Sequence, residues 1–320
     1  MRIVTRLLAS LLLLLFVACG AQAQPDCPPA APKLDTLAAG ALRGDVRDRG
    51  FLWRLTRDGR TSWLYGTVHV SKPEWLLPGP RVRAAFAQAQ VVALELDPAD
   101  PELMRLFAQP GDVARKQRVI AGLAPRIARV AARECVPSAG LAALQPMLQV
   151  STLSLSEARR EGFHPEFAID AMLWGLAQRT GKKFVALETP ASQLAALTPG
   201  SEADERALLV QGLDEIESGS DRTSLQRLLQ AWATNDEHAL ATYLDWCECL
   251  TTPEERRYLQ RVNDERNTPM ADKLAALQAR GESFFAAVGS LHMTGPQALQ
   301  RLLQARGFTV ESVPLTGATP

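Results

Sequence analysis

Short apolar runs of strand length stand at both ends of this chain and once in its middle. The stretches between them are patterned for helices, and that distribution constrains the fold more than any other feature. Phe51-Leu52-Trp53-Arg54-Leu55-Thr56 leads into Arg57-Asp58-Gly59-Arg60 and returns as Thr61 to Val68. Asp-Gly between two such runs predicts a hairpin with a tight turn. Val91 to Leu96 and Lys183 to Glu188 are short and nearly continuously apolar, as buried strands are. Phe284 to Val288 and Gly307 to Val313 read as the last two strands, with a helix from Pro296 to Arg306 between them. Helical spacing covers 80 to 90, 112 to 134 and 141 to 161, and Pro165 opens a further helix that stops at Gly181. A second helical block, 202 to 280, is expected to break near Gly219, Pro253 and Pro269. The expected class is α/β (α+β): a central mixed sheet covered by helices, with large helical insertions.

Two tetrapeptides recur. Val92-Ala93-Leu94-Glu95 returns as Val185-Ala186-Leu187-Glu188, and Gly66-Thr67-Val68-His69 returns as Gly289-Ser290-Leu291-His292. Their paired recurrence predicts two pseudo-repeated halves, each with one strand ending in His and one in Glu. A strand ending in Gly-x-x-His has a physical logic. Gly admits a ligand or another backbone at close range. The His then projects from the strand end, where open α/β sheets place their ligands.

A single His at a strand end is more often a hydrogen-bonded surface residue than a ligand. Repetition, in a chain with 4 histidines, reverses that balance. His69, His292 and Glu95 form a reasonable ligand set for a divalent ion such as Mn, Co or Zn, which activates water or polarises a carbonyl. Glu95 and Glu188 lie within apolar strands, where carboxylates are rarely unpaired. Each is either a catalytic group or the partner of a buried Arg; function is favoured for Glu95, and Glu188 is open. Arg266 and Asn267 follow a charged run. A solvated helix face explains them, or else they hold a substrate carboxylate or a developing oxyanion. Glu166 and Asp170 share a helix face at i and i+4; capping accounts for Glu166, but Asp170 lies among apolar residues. Ser290 lacks the Gly-x-Ser-x-Gly setting of a hydrolase nucleophile.

Lysine plus arginine equals aspartate plus glutamate, 35 each, so nothing in the charge points to nucleic acid or an anionic membrane surface. Arg2 and Arg6, the apolar run Leu7 to Val17 and Ala21-Gln22-Ala23 fit a signal peptide over residues 1–23. Val17-Ala18-Cys19-Gly20 resembles a lipobox, so a lipid anchor at Cys19 is the alternative to soluble export. Residues 24–50 read as a mobile mature N-terminus. Cys27, Cys135, Cys247 and Cys249 remain after cleavage, enough for two disulfides in an oxidising compartment. Cys247 and Cys249 stand too close for an ordinary long-loop staple, so each is expected to reach elsewhere; a zinc site is the weaker reading of Cys-x-Cys.

The ordered set Trp53-Arg54-Leu55, Leu64 to Val70, Leu94-Glu95-Leu96, Asp170, Leu187-Glu188-Thr189, Glu265-Arg266-Asn267, Val288 to Pro296 and Gly307 to Val310 resembles the TraB/GumN (TraB/PrgY/GumN) family in its exported bacterial branch. The resemblance spans 51–313, leaving 314–320 as a tail. The family is similar to the Tiki proteins, described as metal-dependent proteases, and more distantly to erythromycin-esterase-like and ChaN-like folds. It implies a divalent metal at His69, Glu95 and His292, with Arg266 and Asn267 nearby. The expected protein is thus a periplasmic metal-dependent hydrolase acting on peptide bonds. The alternative is a non-catalytic envelope protein that binds a peptide, a metal or haem.

Overall fold

The computed structural model describes residues 27–33, 46–107, 109, 111–247 and 249–315. The signal segment with Cys19, most of 24–45 and the last five residues of the tail lie outside them. Six strands form one sheet: β1 (Phe51–Arg57), β2 (Arg60–Thr67), β3 (Val91–Leu94), β4 (Lys183–Ala186), β5 (Phe284–Gly289) and β6 (Thr309–Ser312). Their order is β4-β3-β5-β2-β1-β6. β1 and β2 make the expected hairpin, with Arg57 opposite Arg60. The turn residues Asp58 and Gly59 take φ of 52° and 70°, left-handed values that Gly adopts freely and Asp tolerates. β6 adds to β1 antiparallel. β4, β3, β5 and β2 run parallel, so their carboxyl ends share one edge. The sheet is mixed and the class is α/β, as expected.

The strand order does not extend the paired motifs into a symmetric sheet. Exchanging the halves swaps β2 with β5 and β3 with β4. The central neighbours β3 and β5 then map onto β4 and β2, which do not touch. β5 is instead shared: it is buried along its whole length between β3 and β2.

Two apolar clusters hold the molecule. One joins Val92, Phe285 and Ala286 of the sheet to Phe86, Leu173 and Leu274 of the covering helices. The other, with Val119, Ile127, Leu153, Leu209 and Leu213, is a separate core for the helical insertions. Those insertions differ in detail from the sequence expectation. Residues 112–134 form two helices, Val113–Ile120 and Ala124–Arg133, with Gly122 at φ 74° between them. Residues 141–161 fall likewise into Ser138–Ala143, Pro146–Ala158 and a short turn. Pro125 and Pro146 open helices, where a missing N–H costs nothing. Pro269 does not break its helix; it lies inside Glu265–Ala279, just after a π-helical stretch, Gln260–Asp264. Pro165–Phe167 is a single 3-10 turn, and the helix proper is Ile169–Arg179. Glu166 and Asp170 therefore share no helix face, and Glu166 pairs with Arg159 at 2.6 Å.

The packed unit begins slightly before Phe51. The Asp48 carboxylate accepts the N–H groups of Arg81 (3.1 Å) and Val82 (3.0 Å), and Gly50 N–H donates to Trp232 O at 2.8 Å. Cys27 pairs with Cys135. Cys247 pairs with Cys249, contrary to the expectation that each reaches elsewhere: their Cα atoms stand 5.1 Å apart, within the span a disulfide bridges. That bond also consumes both thiols that a zinc site would need. The pairs differ in what they constrain. Cys27–Cys135 closes a separation of 108 residues, against 2 for the other. Cys135→Ser is therefore expected to cost about 4–5 kcal/mol in urea unfolding without reductant, and Cys249→Ser far less. Equal losses would contradict the assigned pairing. Among the described residues, no helix is long and apolar enough to cross a membrane.

Candidate functional site

All four parallel strands deliver a predicted residue to the same sheet edge. His69 follows β2, Glu95 follows β3, Glu188 follows β4, and His292 sits in the 3-10 turn Ser290–Met293 after β5. The glutamates lie just past their strands rather than within them. The ladder continues through them, with Leu187 N–H donating to Leu94 O at 2.7 Å and Glu188 N–H to Glu95 O at 2.8 Å. Register does the gathering: Thr67 stands opposite Gly289, and Leu94 opposite Ala287.

The two Gly-x-x-His segments interlock, which is why each needs its glycine. A Cβ on Gly66 would lie 2.9 Å from Ser290 Oγ. A Cβ on Gly289 would lie 3.2 Å from His69 Nε2, 3.4 Å from Glu95 Oε1 and 3.8 Å from His292 Cδ2. Gly289 thus clears the one point that all three side chains surround. Ser290 Oγ donates to Thr67 O at 2.8 Å, which makes it a clasp between the motifs rather than a nucleophile.

His292 is buried, and its tautomer can be assigned. Asn267 Nδ2 donates to the carbonyls of His292 (3.1 Å) and Gln297 (2.9 Å). The amide oxygen must then face His292 Nδ1, 2.6 Å away, so Nδ1 carries the proton. Burial pushes the ring down to about 4, so it is neutral at pH 7 and Nε2 presents a lone pair. That lone pair faces Glu95 Oε1 at 3.6 Å, too far for a hydrogen bond. Burial alone would raise the Glu95 carboxyl. At the acid pH where it titrates His292 is protonated, and the charges of His292, Arg266 and His69, with the Gly289 N–H at 2.7 Å, outweigh burial and hold Glu95 at about 2.

Arg266 organises the carboxylates. Its Nε and Nη2 grip Glu188 at 2.9 and 2.5 Å, and Nη2 also reaches Glu95 Oε2 at 2.6 Å. Nη1 donates to Val262 O at 2.8 Å, across the π-helical turn that precedes it. π-Helical turns recur at functional sites, and this one offers the Val262 carbonyl to the guanidinium. Burial would lower the Arg266 pKa, but the bonds and charges of Glu188 and Glu95 hold it above the ordinary guanidinium value. The solvated-face reading of Arg266 is therefore wrong. Glu188 is likewise the partner of a buried Arg, the plainer of its two sequence readings.

His69 is the open side of the site, with its side chain 57% exposed. Its Nδ1 lies 3.4 Å from Asp170 Oδ1, and the Asp170 charge raises the ring to about 9. A carboxylate behind one imidazole nitrogen is the usual backing of a metal-binding histidine. Two contributors escaped the sequence reading. Gln193 Nε2 donates to Glu95 Oε2 at 3.2 Å, and nothing but its place one turn after Glu188 marks it. The Gly289 N–H is a backbone donor that no side-chain pattern reports.

Among the described residues, no three His, Cys, Asp or Glu side chains are already gathered as a ligand set would be. The donor chemistry nonetheless fits a divalent cation. A neutral imidazole lone pair and an ionised carboxylate oxygen face each other with no proton for either, and a second imidazole, His69, reaches the same cleared point, where it would have to give up its proton to ligate. Ligands about 2 Å from one ion stand roughly 3–3.5 Å apart, close to the spacing between His292 and Glu95. His69, Glu95 and His292 are the residues that would hold it.

Fold and site together define a mixed α/β protein with a histidine–carboxylate centre at the carboxyl ends of its parallel strands. The model of the TraB/PrgY/gumN family matches residues 51–312, and the chain belongs to that family. No curated protein matches the chain.

Proposed function

We propose that the protein is an exported hydrolase of peptide bonds that depends on a divalent metal, Mn, Co or Zn. The observation that carries this reading is the proton-free approach of His292 Nε2 to Glu95 Oε1. The likeness of the motif set to metal-dependent proteases supports the peptide bond as target. Such an ion, when bound, supplies a water of lowered pKa and a Lewis acid for the carbonyl. The chain's own groups set the stage. Asn267 fixes the His292 tautomer, Asp170 fixes His69, and Arg266 helps keep Glu95 ionised and holds Glu95 and Glu188 in place. Arg266 and Asn267 thereby act through the ligands, as positioning residues. Export to the periplasm is supported by the basic, apolar and Ala-Gln-Ala segments at the N-terminus, and by two cysteine pairs. A lipid anchor at Cys19 is the variant of that reading.

The test is elemental analysis of the pure protein, with turnover of a peptide library before and after chelation and metal restoration. Gly289→Ala sharpens it. The backbone there has φ −51°, which Ala adopts without strain, but the new methyl enters the point shared by His69 and Glu95. The variant is expected to fold and to lose at least about tenfold in metal affinity, as disturbance around a metal site does. Unchanged metal content and turnover in this variant would refute the site. Bound metal without hydrolysis would instead identify a binding protein.

A further inference from the structure

Thr67 ends β2, two residues before His69, and is 1% exposed. Its Oγ1 is buried and has no hydrogen-bond partner among the described residues. A hydroxyl withdrawn from water without a partner is costly. Threonines in the helices avoid that cost. The hydroxyls of Thr152, Thr180 and Thr234 donate to the carbonyl four residues back, at 2.7, 2.8 and 2.8 Å. The extended backbone of β2 brings no such carbonyl near Thr67. Ser290 holds the matching place in the second Gly-x-x-His segment, and its hydroxyl is spent on Thr67 O. Of the two segments, only the first keeps a hydroxyl that binds nothing in the fold.

The register says where that hydroxyl stands. Thr67 lies opposite Gly289 in the parallel pair of β2 and β5, so their side-chain directions leave the sheet on one face, roughly 5 Å apart. The direction of Gly289 leads to the point that His69 Nε2, Glu95 Oε1 and His292 surround. Thr67 therefore borders that point from the neighbouring strand. The groups of the ligand set bring a different chemistry. Glu95 Oε1 only accepts, and already takes the Gly289 N–H, while neutral His292 offers a lone pair at Nε2. Neither can donate to an oxygen held between them. A hydroxyl both donates and accepts, and a gap of one strand spacing is what a single hydrogen-bonded oxygen spans.

We propose that the Thr67 hydroxyl is a further member of the strand-end site and hydrogen-bonds the water oxygen that the centre holds. The cation beside that water rests on the metal reading above; the burial and direction of the hydroxyl do not. Thr67→Val removes the hydroxyl from a side chain of nearly the same shape, and Thr67→Ser keeps it. In the metal-free protein, the thermal unfolding midpoint of Thr67→Val is expected at or above that of the parent, because an unpaired buried polar atom gives way to an apolar one. A lower midpoint would show that the hydroxyl is bonded within the fold and would overturn the proposal. Zn should remain bound in both variants, since Thr67 supplies no ligand. Acetohydroxamate, whose oxygens take the place of water on a cation, is the probe of the site itself. It is expected to bind Zn-loaded Thr67→Val at least about tenfold more weakly than the parent, as loss of a hydrogen bond to a charged group implies. Thr67→Ser should bind it like the parent. Equal acetohydroxamate affinity in all three proteins would overturn the role of Thr67 and leave the metal site standing. Acetohydroxamate binding with this pattern but without peptide turnover would refute the hydrolase and leave Thr67 standing. A parent that takes up no divalent ion would refute the metal reading, and the proposal with it.

Discussion

His292→Ala is expected to lose at least about 100-fold in divalent-metal affinity, and with it the peptide hydrolysis that the site supports. Disturbing an outer partner of a metal ligand costs about 10–100-fold, so removing a ligand should cost no less. His292 is the ligand least able to be replaced by solvent: it is buried, and its free nitrogen is aimed by Asn267. The substitution also orphans Asn267 Oδ1, at about 1–3 kcal/mol of stability. Thermal unfolding of the metal-free protein separates that loss from the loss of ligation. Asn267→Ala provides the graded control, since the ring remains but its tautomer and orientation are freed. It should weaken metal binding by about 10–100-fold. Equilibrium dialysis with Zn and Mn reads all three proteins. Wild-type metal content and turnover in His292→Ala would remove the centre from this part of the fold.

The sequence exposed the strand ends of this site better than their meeting. His69, Glu95 and His292 stand out because each follows an apolar run, and a polar residue there must face an edge. Their convergence depends on β5 pairing with both β2 and β3. Those contacts join residues about 200 apart, and no local pattern encodes them. Asp170 was marked by its apolar neighbours, but its partner could be found only in space. The same limit hid the Arg266 clamp: its carboxylates come from two other strands, and Pro269 beside it reads as a helix break. Pro269 is tolerated because it sits early in its helix, next to a π-helical turn that has already altered the hydrogen-bond pattern. The Cys247–Cys249 pair misled for a different reason. Two residues of separation suit a disulfide only when the backbone brings the two Cα atoms within about 7 Å with their side chains facing, and composition does not reveal that geometry.

Arg266→Ala is expected to be the most destabilising single change at the site, by about 3–5 kcal/mol at neutral pH, because it strands two buried carboxylates. Glu95 and Glu188 side chains are 11% and 6% exposed, and only Gln193 and the Gly289 N–H would remain to share their charge with the histidines. The sign of the pH dependence distinguishes this cause from simple loss of packing. In the metal-free parent, Glu95 is held at about 2, below its unfolded value of about 4.3. Its contribution is complete above that unfolded value and is lost as pH falls toward 2. Buried His292, depressed to about 4, acts in the same direction: the unfolded chain takes up its proton first as pH falls below about 6.5. Below about pH 6.5 parent stability should therefore fall with acidification; above it His69, raised to about 9, acts oppositely, since its contribution is lost as pH rises toward that value. Without Arg266, Glu95 loses one of the cationic neighbours that oppose its burial, so its carboxyl rises from about 2 toward the unfolded value. The stability that its depression contributes above that value is then reduced, and the reduction fades as pH falls and folded and unfolded chains both take up the proton. Urea unfolding from neutral pH down to below the unfolded value should show the variant's deficit narrowing at the acid end. A deficit independent of pH would mean that Arg266 contributes bulk rather than charge. The conservative Arg266→Lys should recover only part of the stability, because one ammonium cannot reproduce the fork that now holds both Glu188 oxygens and Glu95.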